Sequence, residues 1–397
     1  MIFRDTASNT VTLPSRRSKG EVFTKLGRIP GVQMVYVSAL ACTRHRNIDF
    51  ITLQRQGRLS FLMFDEVDMV TGDYIDKTKQ AAAEIAAERN PTGIVLLSGC
   101  QSALLSTDYK LLSEEIEDEI GIPVRVHDGC RLCGFDEEEG GPSAVDKILY
   151  DFILPSRKSA VPSVNILSSG TVDENCELLP LLSQAGVQTV RTLNGCRSWA
   201  DYQSMGSAWV NIITTPKDTE LAKYLEEKLG IPWVCLGGIY STDDLNAAYA
   251  KLGSILSYTF DLTQQATKLI DVLTQIRPAI EGKTITVEDD GELAKWLFTE
   301  GFPVTTVKLN PHQGITKEQR LWLEEHGIAV EHPMRGGKGG PGGRPNGHGG
   351  PGGPGGHPGG KPGGKPGRGT SQPIPMGYAG AMVALNTLKT AAGGDAR

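Results

Sequence analysis

The chain has 397 residues, 39% of them hydrophobic, and 46 acidic against 40 basic side chains give a formal net charge of −6. That length predicts two or three domains with ample buried core, and the mild negative balance argues against nucleic acid as a partner. No apolar run in the sequence approaches the length needed to span a bilayer.

The N-terminal stretch MIFRDTASNTVTLPSRR lacks the apolar core of a secretion signal, so a cytoplasmic location is expected. GVQMVYVSAL then predicts a strand and DYIDKTKQAAAEIAAERN a helix with an acidic start. GIVLLSG reads as a buried strand, DYKLLSEEIEDEIG as an amphipathic helix closed by glycine, and IPVRVHD as the next strand. This alternation is the βαβ rhythm of a parallel sheet covered by helices. It restarts at PSVNILSSG and runs through ENCELLPLLSQAG (helix), VQTVRTL and SAWVNIITT (strands), DTELAKYLEEKLG (helix) and IPWVCLG (strand). One long helical stretch, STDDLNAAYAKLGSILSYTFDLTQQATKLIDVLTQIRPAI, is expected to close that unit. A third start follows at GKTITVEDD, with GELAKWLFTEG, FPVTTVKL and KEQRLWLEEHG behind it.

The expected architecture is therefore α/β, with three similar Rossmann-like parallel-sheet domains over residues 1–155, 156–280 and 281–397. A glycine- and proline-rich tract at 335–369 interrupts the third. Such a composition cannot bury enough apolar surface to offset its ordering entropy, so a disordered surface loop or tether is expected there. His348 and His357, with nearby His332, are too sparse for a metal-storage tract. PIPMGYAGAMVALNTLKTA is expected to return as a helix packed on the core.

The seven cysteines are Cys42, Cys100, Cys130, Cys133, Cys176, Cys196 and Cys235. An odd number without a secretory signal argues against a disulfide framework. Cys42 and Cys100 each follow an apolar strand. The C-terminal ends of parallel strands share one edge of a sheet, where ligands gather, so both thiols can face one crevice. Spacing alone leaves two readings open, paired ligands or buried strand-end hydrophobes. Arg44 and His45 follow Cys42 directly; a cationic surround favours the thiolate that metals need, and a solvated basic loop is the alternative. Cys130 and Cys133 form a single C-x-x-C that fits half of a zinc site, a redox pair or a tight turn. Cys176 and Cys235 read as core residues and Cys196 as a loop residue. The sequence has no G-x-x-x-x-G-K-S/T phosphate loop, G-x-S-x-G elbow or H-E-x-x-H pair.

In their order along the chain these segments resemble the nitrogenase component 1 family: the nitrogenase catalytic subunits, their cofactor-assembly paralogues and the nitrogenase-like tetrapyrrole reductases. FDEVDMVTGDYIDKTKQAAAEIAAERNPTGIVLLSGCQSALLSTD is similar to the family segment that ends in a cluster cysteine and an aspartate pair. Cys100 matches that cysteine and Asp108 the second aspartate, while Thr107 stands in place of the first. VSALACTRHRN matches an upstream cluster cysteine at Cys42; VNILSSG, LNGCRSWADYQSMGSAWVNI, EKLGIPW and MGYAGAMVAL resemble later segments in the same order.

The resemblance implies cluster ligation by Cys42 and Cys100, with Cys130 and Cys133 ranked behind them. Nitrogenase subunits carry a further, earlier cysteine, and none precedes Cys42 here. Two thiolates from each of two symmetry-related subunits supply the four that hold a [4Fe–4S] cluster at a subunit interface. Arg44, His45 and Asp108 are expected in its outer shell. The nitrogenase cofactor cysteine falls near Thr214, where there is no thiol, His332 lies only roughly in the region of the cofactor histidine, and the third domain is short, so no iron–molybdenum cofactor and no dinitrogen reduction are expected. The implied partners are a second copy or a paralogous component 1 subunit, and a P-loop ATPase iron–sulfur protein that passes on low-potential electrons. The reading that follows is a nitrogenase-like reductase subunit acting on an unidentified substrate. The alternatives are a scaffold on which a metal cofactor is assembled, or a cluster-free binding homologue.

Overall fold

A computed structural model describes residues 10–13, 25–39, 48–99, 105–128, 144–167, 173, 176–309, 315–331 and 376–392, with backbone alone at 10–13 and 48–51. The 335–369 tract and His332 lie outside the described residues. Strand β1 (Thr10–Leu13) comes first. The first unit then runs β2 (Val32–Ala39), α1 (Ile48–Arg55), β3 (Leu59–Phe64), α2 (Glu66–Thr71), α3 (Asp73–Arg89), β4 (Gly93–Ser98), α4 (Tyr109–Ile120), β5 (Val124–Asp128) and α5 (Ala144–Asp151). Its sheet has the order β3-β2-β4-β5 with every neighbour parallel.

Side chains alternate across that sheet. Val35, Val37, Ile94, Leu96 and Val124 pack on one face with Tyr74 and Ile85 of α3 and Leu112 and Ile116 of α4. Met34, Val95 and Leu97 form the other face, against Ile148 and Leu149 of α5 and Leu193, Ile213 and Leu225 of the second unit. β4 is buried along its whole length because both of its faces are covered.

The second unit comprises β6 (Ser163–Leu167), α6 (Leu178–Gln184), β7 (Thr189–Thr192), α7 (Trp199–Gln203), β8 (Val210–Ile213), α8 (Thr219–Leu229), β9 (Trp233–Cys235), α9 (Thr242–Leu256) and α10 (Thr263–Ile280). Its parallel sheet, β7-β6-β8-β9, repeats the topology of the first. The third contains β10 (Thr284–Glu288), α11 (Gly291–Thr299), β11 (Val304–Lys308), α12 (Lys317–Glu325), β12 (Ala329–Glu331) and α13 (Gly377–Ala391). Its sheet runs β1-β10-β11-β12, again parallel, so the N-terminal strand joins the third sheet and not the first unit with which the sequence reading grouped it. A single apolar core links Ile166, Ile212 and Leu252 of the second unit to Ile285, Val307 and Leu385 of the third.

The long helical stretch expected over 241–280 is helical, and is divided into two helices. Ser257 adopts φ 56°, and the Tyr258 amide donates to the Gly253 carbonyl at 2.9 Å, ending α9. Gly253 is needed there, because a Cβ would lie 2.3 Å from the Tyr258 carbonyl oxygen. The Asp261 carboxylate, accepting from the Thr263 amide at 3.1 Å, opens α10.

The first two units are also joined through Asp151. Its carboxylate receives Lys228 at 2.6 Å, Arg125 at 3.1 Å and the Tyr224 hydroxyl at 2.5 Å. Burial alone would raise this carboxyl, but hydrogen bonds from Lys228 and Tyr224 and the charges of Lys228 and Arg125 outweigh it and hold it below the usual range. A depressed carboxyl contributes stability that is complete above its unfolded value, about pH 4, and is lost as pH falls through the folded value. The melting temperature of Asp151→Asn should therefore lie below that of the parent at pH 6. The gap should close as pH drops below about 4, which thermal melts across that range will show.

Candidate functional site

In the first sheet the chain leaves β2 toward β3 on one side, then crosses back to lay β4 on the other. The loops after β2 and β4 thus diverge from neighbouring parallel strands, and the crevice between them is a topological switch point. Val37 pairs with Ser98, and Ser98 with Asp128, so β2, β4 and β5 reach this edge in register. Cys100 follows Ser98 by two residues, Cys130 follows Asp128 by two, and Cys42 follows Ala39 by three. Two residues of extended chain span at most about 7 Å and three about 11 Å. Cys42, Arg44, His45, Cys100, Cys130 and Cys133 themselves lie outside the described residues.

The described rim has a definite chemistry. Ser98 is 3% exposed, and its hydroxyl has no hydrogen-bond partner among the described residues. An unpaired buried hydroxyl costs roughly 1–3 kcal/mol. Next to this edge the Tyr74 hydroxyl bonds the Thr107 hydroxyl, tying the start of α3 to the turn before α4, and Tyr74 packs on Phe64 with ring centroids 5.3 Å apart. Ser106, at φ 51°, turns the chain back toward α4. Asp108 then caps that helix, its Oδ1 accepting from the Leu111 amide at 3.0 Å. Val67 and Val70 of α2, with Leu105 and Leu111, leave apolar surface open to solvent in this part of the unit.

The three described cysteines have other partners. The Cys176 thiol donates to the Met376 carbonyl at 3.4 Å, Cys196 to Thr192 at 3.4 Å and Cys235 to Gly237 at 3.2 Å. Burial pushes Cys176 up to about 12 and Cys235 up to about 11, and raises Cys196 as well. They remain neutral thiols near pH 7, whereas a metal ligand is a thiolate. Cys176 packs in the core as expected, two residues before the helix in which the sequence placed it, while Cys235 is partly buried and packs against the core from its edge.

The corresponding edge of the second sheet is filled by the chain itself. Thr214 follows β8 and is buried, and a Cβ at Gly237 would lie 1.7 Å from its carbonyl oxygen. The start of α13 also docks here, the Gly377 amide donating to Leu236 at 2.7 Å. Glu177 holds it there: Oε1 accepts from the Tyr378 amide at 2.6 Å and the Tyr249 hydroxyl at 2.9 Å, and Oε2 from the Ala379 amide at 3.0 Å. Sequence reasoning missed both Glu177 and Ser98. Ser98 left a signal, as the one hydroxyl closing the apolar run GIVLLS.

The family described as Nitrogenase component 1 type Oxidoreductase matches residues 25–300. The chain belongs to this family. Among its relatives is the nitrogenase iron-molybdenum cofactor biosynthesis protein NifE of Nostoc sp. (strain PCC 7120 / SAG 25.82 / UTEX 2576), 24% identical over 56% of this chain and 49% of that protein. NifE of Klebsiella pneumoniae is 22% identical over 55% of the chain and 50% of its own length. The nitrogenase molybdenum-iron protein alpha chain of Azospirillum brasilense is 28% identical over 43% of the chain and 37% of its own. The chain thus spans about half or less of the length of these curated relatives. A solved structure, Nitrogenase Cp1 at pH 6.5, shares the fold with a TM-score of 0.55 at 17% identity, covering 81% of this chain and 79% of that one. Among the described residues no helix is long and apolar enough to cross a membrane, and no cluster of three or more histidine, cysteine or acidic side chains is placed to hold a metal ion.

Proposed function

We propose that this family member is a reductase subunit that takes low-potential electrons onto a [4Fe–4S] cluster held between two subunits by Cys42 and Cys100 of each. The observation that carries the reading is the switch point between β2 and β4, from which both cysteine-bearing loops depart. The donor set fits the group: soft thiolates suit iron–sulfur clusters, and a buried unpaired hydroxyl stands at the same edge. When bound, such a cluster accepts and passes on one electron at a time.

The chain's own residues do the rest. β2 and β4 fix where the two thiol loops begin, and the apolar packing of Val37 and Leu96 beneath them keeps the floor of the site dry. Arg44 and His45 supply positive charge that favours thiolate over thiol. The exposed Val67, Val70, Leu105 and Leu111 give a second subunit apolar surface to cover. A P-loop ATPase iron–sulfur protein, the partner that the family implies, supplies the electrons, and the lack of a phosphate loop in this sequence agrees with ATP being handled there.

A second reading, a scaffold for assembly of a metal cofactor, is favoured by the two cofactor-biosynthesis relatives. One experiment separates them. The anaerobically purified chain is mixed with its ATPase reductase and ATP, and the cluster signal is followed by EPR. ATP-dependent reduction followed by repeated turnover of a candidate tetrapyrrole supports the reductase. Release of a bound metal cofactor to an acceptor protein, without turnover, supports the scaffold.

A further inference from the structure

We infer that one water molecule is held inside the second unit by Asn165 Oδ1, Asn211 Nδ2 and Arg191 Nη1, as a fixed part of the joint with the first unit. The inference stands apart from the cluster reading and needs no metal.

The three side chains form one row across the second sheet. Arg191 of β7 pairs with Asn165 of β6, and Asn165 with Asn211 of β8. Side chains alternate along each strand, so both asparagines face the same way as Leu167 and Ile213. Those two belong to the core shared with Met34, Val95 and Leu97 of the first unit, whereas Val164, Ile166, Val210 and Ile212 belong to the core shared with the third. Asn165 is 2% exposed and Asn211 1%. Apolar residues would fill such a row without leaving any polar atom unpaired.

Part of the row is satisfied internally. Asn165 Nδ2 donates to the Met205 carbonyl at 2.8 Å and to Asn211 Oδ1 at 2.9 Å. These bonds fix which way both amides face. Turning Asn165 over would set its oxygen against the Met205 carbonyl, and turning Asn211 over would set two NH2 groups together. Three buried atoms then have no partner among the described residues: Asn165 Oδ1, Asn211 Nδ2 and Arg191 Nη1. Arg191 lies on the edge strand, yet its Nη1 is turned inward, away from solvent. Ser163, two residues earlier on the same face of β6, needs no such help, because its hydroxyl bonds that of Ser159 at 3.0 Å.

The open set is therefore two donors and one acceptor. A water completes it by accepting twice and donating once, and buried waters make about three hydrogen bonds each. A small anion would suit the donors but be repelled by Asn165 Oδ1, and a metal ion would be repelled by the guanidinium.

The test counts the water in the full chain. A crystal structure should show an ordered water within hydrogen-bond distance of all three atoms. In solution, oxygen-17 magnetic relaxation dispersion counts waters that tumble with the protein. The double change Asn165→Leu with Asn211→Leu should hold one fewer than the parent. It should still melt cooperatively, since it removes both amides together and leaves only the Met205 carbonyl without its donor. Arg191→Met, which keeps the aliphatic stem and the asparagine pair, gives a second readout: the water should remain but exchange faster. A row without ordered water, or an equal count in the parent and the double variant, would overturn the assignment. So would density for an anion on Arg191 in place of the water, or an exchange rate unchanged in Arg191→Met.

Discussion

Cys100→Ala is expected to strip the anaerobically purified protein of nearly all its bound iron. In a two-fold assembly one substitution removes two of four thiolates, so no partly ligated cluster with three cysteines is available as a fallback. Losing an outer-shell partner of a metal commonly costs roughly 10–100-fold in affinity, and loss of a ligand must exceed that. Cys42→Ala should behave alike, because β2 and β4 deliver both loops to the same edge. The double change Cys130→Ser with Cys133→Ser should leave iron unchanged. Cys176→Ser and Cys235→Ser serve as controls, since both side chains are thiols bonded to carbonyls elsewhere. Iron and acid-labile sulfide per chain are the measurements. Full iron content in Cys100→Ala, or none in the parent, would sink the ligand assignment.

Glu177→Ala should be the most damaging single change away from that edge, destabilising the protein by about 3–5 kcal/mol in urea unfolding. It leaves the Tyr378 and Ala379 amides and the Tyr249 hydroxyl without their acceptor at once. Bonds to a charged acceptor contribute roughly 1.5–3 kcal/mol each, and water recovers part of the loss at a half-buried site. The carboxylate also sits at the positive end of α13, where a negative charge is favoured. Glu177→Gln, which keeps one accepting oxygen, loses the charge and replaces the other acceptor by an NH2 donor, should cost less than Glu177→Ala but remain clearly destabilising. Gly377 is the other member of the latch: its φ is 62°, and a Cβ there would lie 2.2 Å from Glu177 Oε1 and 2.7 Å from the Tyr249 hydroxyl. Gly377→Ala and Glu177→Ala should accordingly combine less than additively. Parent-like stability in Glu177→Ala would show that α13 is held by its apolar face alone.

Strands β2, β4 and β6 were legible in the sequence, because burial on both faces selects mostly apolar residues along each of them. The helix end at Ser257 was not, since the αL residue is a serine and the glycine that the turn requires, Gly253, lies inside the helix instead of after it. The partner of β1 was equally hidden: TVTL states a strand preference and nothing about which sheet will take it. At the candidate site the sequence could place Cys42 and Cys100 at strand ends. It could not show that β2 and β4 are neighbours, which depends on the crossover past β3. Glu177 was invisible for a related reason, as its partners Tyr249 and Tyr378 lie far along the chain.

The pairing of β1 with β10 also bears on how the protein is made. Thr10 meets Thr284, so β1 must wait for a partner strand that is synthesised much later. The first and second units can collapse on pairings close in sequence while synthesis continues. The third unit cannot be completed until both β1 and α13 are in hand, because α13 packs beside β1 as well as on α10. Closing so long a loop is slow relative to local folding. Changes in β1 or in α13 therefore act on the same late step, the sealing of the third unit.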